Sequence, residues 1–354
     1  MVDRNEAVAE LGERRASGVL EISHDPECFE RGGFWAVVMT FEGELTAVRM
    51  TPGELATPRR YEGPAPRLSD AAQEAWTSSL DRAAYEDGVR EIRRRIARGE
   101  VYQVNLCRVL SHEIAPEADL DVLAAVLRQG NPAPYAARIH VPEAGLDVVC
   151  ASPELYLRRE GRRLVSSPIK GTAPTAEEML DKDVAENVMI TDLVRNDISP
   201  VVEPGTVAVE DLCVPEAHPG LTHLVSTVTG TLRPDVTWSD VLAATFPPGS
   251  VSGAPKSTAL QAISDLEPVD RGPYCGAVGW IDADHDQAEL AVGIRTFWAE
   301  HDGVRRWLHF GTGAGITWGS DPEGEWWETV LKARRLISLA APITDARSSR
   351  GDTE

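Results

Sequence analysis

Long hydrophobic runs are missing from this chain of 354 residues. No stretch approaches the roughly 20 apolar residues of a membrane-spanning helix, so a membrane span of that kind is not expected. Cysteine is scarce. The five residues Cys28, Cys107, Cys150, Cys213 and Cys275 are odd in number, scattered and without a CxxC pair. That pattern argues against a disulfide framework and a structural zinc, and for a reducing, cytoplasmic setting. Basic residues are outnumbered, 35 Lys and Arg against 56 Asp and Glu. The net charge of −21 speaks against polyanionic partners, whether nucleic acid or an anionic membrane surface. The first residues, Met1 to Glu6, lack the apolar core of a secretory signal, and the chain has no internal repeat.

What is present is enough apolar residue, 42% against 26% charged, for a soluble globular protein of one large domain or two ordinary ones. Strands are predicted at 34–41, 45–50 and 101–106, and on both sides of Ser152-Pro153-Glu154. Residues 52–72, rich in Pro, Gly and Arg, read as a surface connection. Tyr85, Val89, Ile92 and Ile96 recur at helical spacing, which predicts a helix over 81–98 capped by Gly99. Further helices are expected over 176–195, 256–265 and 323–340, and strands near 275–282, 288–298 and 304–312. Strands and long helices mix without βαβ alternation. The expected class is therefore α+β, with large antiparallel sheets. The expected organisation is a short amino-terminal part (1–80), a catalytic region (81–342) and a disordered tail (343–354).

Lys170 is the most informative residue. It sits in Ser167-Pro168-Ile169-Lys170-Gly171-Thr172, after a strand-like run and before a glycine that lets a substrate approach closely. Glu154 lies one hairpin away. A proton-poor lysine is a nucleophile, and a nearby carboxylic acid can assist a leaving group. Two predicted helices carry acidic pairs at i, i+3, Asp183 with Glu186 and Glu325 with Glu328. The spacing puts both acids on one face, which suits a hard divalent cation, although such pairs are also common on solvated helices. Gly311 to Gly315, with Gly313, Ala314 and Gly315, reads as a turn whose amides can hold an anion, or as a mark of a tight turn or close packing. Arg295, placed within an apolar strand, needs an anionic partner, an internal carboxylate or a substrate's. His223 suits either a site donor or a core position. Asp192 to Asp197 reads as a helix end with local salt bridges.

Taken together and in order, these segments resemble the chorismate-utilising enzymes over about residues 80–342. The resemblance rests on Tyr102 to Leu106, Ser152 to Glu154, Pro168 to Thr172, Glu186-Asn187, Asp192 to Asp197, Gly253 to Lys256, Gly313 to Gly315 and Glu325 to Glu328. It implies that family's two-layer sandwich of antiparallel sheets with helices outside. Within the family the chain looks most like the aminodeoxychorismate synthase component I branch. Gln103 stands where water-using members have a lysine base, and Lys170 stands where anthranilate synthases typically have alanine.

The resemblance implies that Lys170 attacks C2 of chorismate while Glu154 protonates the departing C4 hydroxyl. Ammonia then adds at C4 and expels the lysine, leaving 4-amino-4-deoxychorismate on the route to p-aminobenzoate and folate. It further implies Mg²⁺ on Glu186 and Glu328 with Asp183 and Glu325 in support. Tyr274, Arg295 and the Gly313–Gly315 amides hold the substrate carboxylates, His223 and Ser250 lie near the ring, and Gly171 and Thr172 line the site. The role of Lys256 is left open. The implied partners are a glutamine amidotransferase subunit that supplies ammonia and a downstream aminodeoxychorismate lyase. Rival readings are an anthranilate or aminodeoxyisochorismate synthase component I, or a chorismate-binding protein without turnover. The chain departs from the family in its short region before residue 80, in Ala173-Pro174-Thr175 after the lysine motif and in Ile198-Ser199-Pro200 after Asp197.

Overall fold

The computed structural model describes residues 7–54, 59–66, 68, 74–173, 175–218 and 221–344. The described strands are β1 (Val8–Leu11), β2 (Arg14–Ser23), β3 (Phe34–Met39), β4 (Leu45–Gly53), β5 (Thr77–Ser78), β6 (Gln103–Ile114), β7 (Tyr135–Val141), β8 (Leu146–Ser152) and β9 (Leu155–Glu160). They continue with β10 (Arg163–Ser167), β11 (Ile169–Ala173), β12 (Ala208–His218), β13 (Leu221–Thr231), β14 (Gly253–Ala254), β15 (Ala277–Asp282), β16 (Gln287–Val292), β17 (Thr296–His301) and β18 (Arg306–Ile316). The helices are α1 (Arg82–Ala97), α2 (Leu120–Gly130), α3 (Asp181–Ile198), α4 (Trp238–Thr245), α5 (Lys256–Leu266) and α6 (Pro322–Thr344).

Every ladder among the described residues is antiparallel, and the ladders join distant parts of the chain. β3 pairs with β15, β1 with β7, β16 with β9 and β18 with β6. The expected α+β class with a large antiparallel sheet is what the chain adopts. Side chains from β3, β4, β6, β15, β16 and β18, such as Val37, Val48, Leu106, Val278, Leu290 and Ile316, share one apolar core. A second core lies under α2 and α6, where Leu123, Leu127, Leu336 and Ile337 meet Phe297, Leu308 and Phe310.

Local chemistry sets the helix bounds. The Asp81 side chain accepts from Ala84 N–H at the start of α1, and Gly99 takes a positive φ of 75° just past its end. The helix expected over 176–195 starts later and ends later than its periodicity suggests. Asp183 reaches back to Leu180 N–H at 3.0 Å and fixes the start. Two further expectations change. The strand expected over 288–298 breaks at Gly293–Arg295, where Arg295 has φ 53° and the chain leaves its ladder with β9 to pair with β8. Gly293 is required there, because a Cβ would sit 2.0 Å from Pro273 O. The Gly311–Gly315 run is not a turn but the second half of β18, paired residue for residue with Val109 through Asn105 of β6. Helices α2 and α4, and strands β1, β2, β5, β7, β12, β13 and β14, are additions to the sequence reading. The expected tail lies outside the described residues beyond Thr344, as do parts of the 52–72 connection.

Candidate active site

Lys170 is placed by a fault in a ladder. β11 pairs with β13, but the register slips between Ile169 and Thr172, with Gly171 at φ 85°. Such a bulge re-aims a side chain at little cost when glycine supplies the unusual conformation. Asn187, buried on α3, donates to Lys170 O at 3.3 Å and to Leu224 O at 2.8 Å, so helix and strand are tied at this point.

The Lys170 ammonium lies 3.0 Å from Glu186 Oε1, and Gln103 Nε2 donates to the same oxygen at 2.6 Å. Burial alone would raise the proton affinity of Glu186. The charge of Lys170, with hydrogen bonds from Lys170 and Gln103, overcomes this and holds the carboxyl below its ordinary value. Gln103 is itself buried, and its Oε1 has no hydrogen-bond partner among the described residues.

Glu154 behaves in the opposite way. It is 3% exposed, just ahead of β9, and burial pushes its carboxyl up to about 7. A hydrogen bond from Ser250, the charge of Lys170 and the Ile169 N–H each pull it back down without cancelling that rise. His223 is buried on β13 directly opposite Thr172.

Charges on α3 and α6 act on each other. Glu186 feels the charge of Lys332 on α6, and Glu325 feels Lys182 on α3. Lys332 Nζ lies 2.6 Å from Glu328 and donates to Gly313 O at 3.2 Å. Burial raises Glu325, and the neighbouring Glu328 adds to the rise. Asp183 is placed differently, its carboxylate engaged by the Leu180 N–H of its own helix.

The glycines of β18 exist for close approach. A Cβ on Gly311 would strike the Tyr274 ring at 2.0 Å, and one on Gly313 would meet Cys107 Sγ at 2.6 Å. A Cβ on Gly315 would stand 2.4 Å from Gln103 Nε2, 3.0 Å from Glu186 Oε1 and 3.5 Å from Lys170 Nζ. Gly315→Ala is therefore expected to stay folded by circular dichroism yet lose turnover on the order of 10²-fold, because it displaces reacting groups by about an ångström. Past Phe310, β17 no longer pairs with β18, so residues 311–316 have a ladder on one side only.

Tyr274 is buried behind this strand, with its hydroxyl 3.9 Å from Cys107 Sγ. Arg295, at the β16–β17 break, has no ion-pair partner among the described residues, and burial lowers its proton affinity. Among the described residues no carboxylate pairs with it.

Sequence reasoning missed Lys332, although it stands four residues after Glu328 on a predicted helix, a spacing that pairs charges. It also missed Arg271. This fully buried guanidinium binds Glu267, Val251 O and Asn105 O, and so braces β6 against the loop that carries Ser250. A separate recess of about 680 Å³, lined by Phe41, Phe246, Ile263 and the Glu267–Arg271 pair, contains none of Lys170, Glu154, Glu186 or Glu328. The convergence of ionisable groups places the candidate chemistry at Lys170 instead.

Residues 37–338 match the family model described as chorismate binding enzyme. The chain belongs to the chorismate-binding enzyme family. It is 39% identical over 294 residues to the anthranilate synthase component 1 of Thermus thermophilus, covering 79% of this chain and 62% of that protein. To the aminodeoxychorismate synthase component 1 of Salmonella typhimurium it is 34% identical over 275 residues, covering 74% of this chain and 59% of that protein. The chain thus spans less than two thirds of the length of these two relatives. A solved structure described as a 2,3-dihydroxybenzoate-specific isochorismate synthase from Bacillus anthracis superposes with a TM-score of 0.78, over 96% of this chain and 98% of that one. At 22% identity that likeness speaks for the fold.

The carboxylates of α3 and α6 are of the kind a hard cation takes. Among the described residues no group of three or more His, Cys, Asp or Glu converges as a closed metal cage. Mg²⁺, however, typically takes only one or two protein carboxylates and leaves the rest of its shell to water and substrate. Glu186 and Glu328 offer that number, and both already experience a cation, Lys332.

Proposed function

We propose that this chain aminates chorismate at C4 to give 4-amino-4-deoxychorismate, with Lys170 as nucleophile and Glu154 as acid. One observation carries the reading. Lys170 interacts with two glutamates whose surroundings push their proton affinities apart, Glu186 kept ionised and Glu154 raised to about 7. Opposed proton affinities at one site mark a division of labour between a charge partner and a proton donor.

In the first step the Lys170 amine, having shed a proton, forms a bond to C2 of chorismate. Both conjugated ring double bonds shift, to C1=C6 and C4=C5, and the C4–O bond breaks as Glu154 protonates the departing hydroxyl, releasing water. In the second step ammonia bonds to C4, both double bonds shift back and the C2–N bond to Lys170 breaks. Glu154, now ionised, accepts the proton that ammonia loses. Gln103 supports ammonia as the nucleophile, because an amide cannot deprotonate water. Its unpartnered Oε1 can accept an N–H instead.

The open edge of β18, Tyr274 and Arg295 would hold the substrate carboxylates, with His223, Ser250, Gly171 and Thr172 around the ring. Bound Mg²⁺, held by Glu186 and Glu328 with Glu325 and Asp183 nearby, would neutralise the ring carboxylate. Ammonia would come from a glutamine amidotransferase subunit, and the product would pass to an aminodeoxychorismate lyase.

Glu186→Gln is expected to weaken Mg²⁺ binding by more than about tenfold in calorimetric titration without substrate, and to raise the chorismate KM with it. An unchanged titration would remove Glu186 from the ligand set.

A second reading, anthranilate synthase component I, has its own support in the higher identity of the Thermus thermophilus relative. Mass spectrometry of products decides between them. The chain is incubated with chorismate, Mg²⁺ and ammonium, with and without the lyase. Aminodeoxychorismate convertible to p-aminobenzoate is the expected result, and anthranilate with pyruvate would overturn it.

A further inference from the structure

Two sequence motifs left without a role meet in space. Asp192 does what a helix end predicts and pairs with Arg195 at 2.7 Å. Asp197, the last acid of that motif, instead points inward and holds Lys256 Nζ at 2.7 Å. The same ammonium donates to Thr245 O at 3.0 Å. Thr245 is the last residue of α4 and Lys256 the first of α5. One side chain therefore ties together both feet of the connection 246–255, and Asp197 of α3 fixes that side chain.

This connection carries Ser250. It rests tightly on α3, since a Cβ on Gly249 would come within 2.7 Å of Leu193 and 3.4 Å of Asp197 Oδ2. Its other face lines one cavity with Glu154, and Ser250 pulls the proton affinity of that carboxyl down. The Thr245 hydroxyl lies 2.6 Å from the Tyr156 hydroxyl, two residues along from Glu154. Glu154, Tyr156, Asp197, Thr245, Gly249 and Ser250 wall a cavity of about 20 Å³, room for about one water. Glu154 is thus faced by Lys170 and the Ile169 N–H from β11, by Ser250 from the connection, and by Asp197 across the cavity.

We infer that the Asp197–Lys256 pair is a positioning latch, which holds the connection 246–255 closed so that Ser250 stays aimed at the Glu154 carboxyl. The consequence for catalysis rests on Glu154 being the acid of the proposed reaction; the effect on Glu154 itself does not. Opening the latch frees Ser250 and leaves Asp197 without its cation. The loss of the Ser250 contact favours the protonated form of Glu154, while Asp197, already raised to about 6 by burial, takes up a proton itself once its cation is gone. A salt bridge that only stabilises the fold would leave that proton equilibrium where it was.

The test uses the whole chain and compares Lys256→Met with Lys256→Arg. Lys256→Met keeps the stem and deletes both bonds, while Lys256→Arg retains the charge. Infrared difference spectra across a pH series follow the C=O stretch of protonated Glu154, assigned by its loss in Glu154→Gln. In Lys256→Met the midpoint is expected to rise by half a pH unit or more and the band to move to higher frequency. Lys256→Arg should restore part of both. With chorismate and ammonium, kcat should fall about tenfold or more while KM stays within about threefold. If Lys256→Met does not fold, Asp197→Asn replaces it, with a smaller change in the same direction. A folded latch variant with the parent's midpoint and band would overturn the inference. A shifted midpoint in a protein that makes no aminated product would keep the latch and discard the proposed reaction.

Discussion

Lys170→Ala is expected to cut formation of aminodeoxychorismate by about 10³-fold or more, because it removes the group that divides one hard substitution into two easier ones. The surroundings make the effect specific. Lys170 is held by a bulge at Gly171 and by Asn187 at its carbonyl, so its loss leaves the scaffold in place. Truncation also frees Glu186, whose Oε1 keeps the Gln103 hydrogen bond but loses its cation. Mg²⁺ binding should therefore survive in the variant, and could strengthen, while turnover collapses. Added ammonium should give at best partial rescue, through direct attack at a misplaced ring. Turnover assays by mass spectrometry, with Mg²⁺ titration alongside, separate these effects. Product formation at the parent's rate would show that Lys170 is not the nucleophile.

Glu154→Gln is expected to lower kcat by about 10²–10⁴-fold, the usual contribution of a positioned proton donor. In the unmodified chain the protonated fraction of Glu154 falls as pH rises through about 7. The limb of the rate profile that needs the acid should fall there and vanish in the variant. Stability should move the other way. The folded value of about 7 lies above the ordinary 4.5, so the carboxyl favours the fold most below about 4.5, and this contribution is lost as pH rises through about 7. A glutamine cannot ionise and escapes that loss, which is worth up to about 3 kcal/mol at pH 8. Glu154→Gln should consequently melt a few degrees higher than the parent at pH 8 and show little gain at pH 4. Equal melting temperatures at both pH values would contradict the burial argument.

Where one interaction dominates, the sequence was a sound guide. Tyr85, Val89 and Ile92 mark the buried face of α1 because a single apolar stripe decides that helix. It was less so wherever tertiary partners decide. Arg295 reads as a strand residue because its neighbours are apolar, yet Gly293 and the Pro273 carbonyl force a break there. Gly311 to Gly315 reads as a turn because glycine usually marks one, whereas here the glycines make room for Tyr274, Cys107 and Gln103. Within the candidate site, Lys170, Glu154, Glu186, Ser250 and the β18 glycines come together, and charges on α3 and α6 act on each other. The support around them was hidden. Arg271 with Glu267, and Asp197 with Lys256, are pairings across ladders and loops that no local spacing announces.

The ladders of the sheet have a consequence for how the chain must be made. β3 at residues 34–39 waits for β15 at 277–282, and β6 at 103–114 waits for β18 at 306–316. During synthesis the early strands leave the ribosome with their edges unpaired, and at about 5–20 residues per second the partners follow tens of seconds later at the slow end. Closure on such distant contacts is slow, and open edges are sites of wrong pairing. Its yield in a cell is therefore expected to depend on chaperones that shield nascent strands, even where the finished fold is stable.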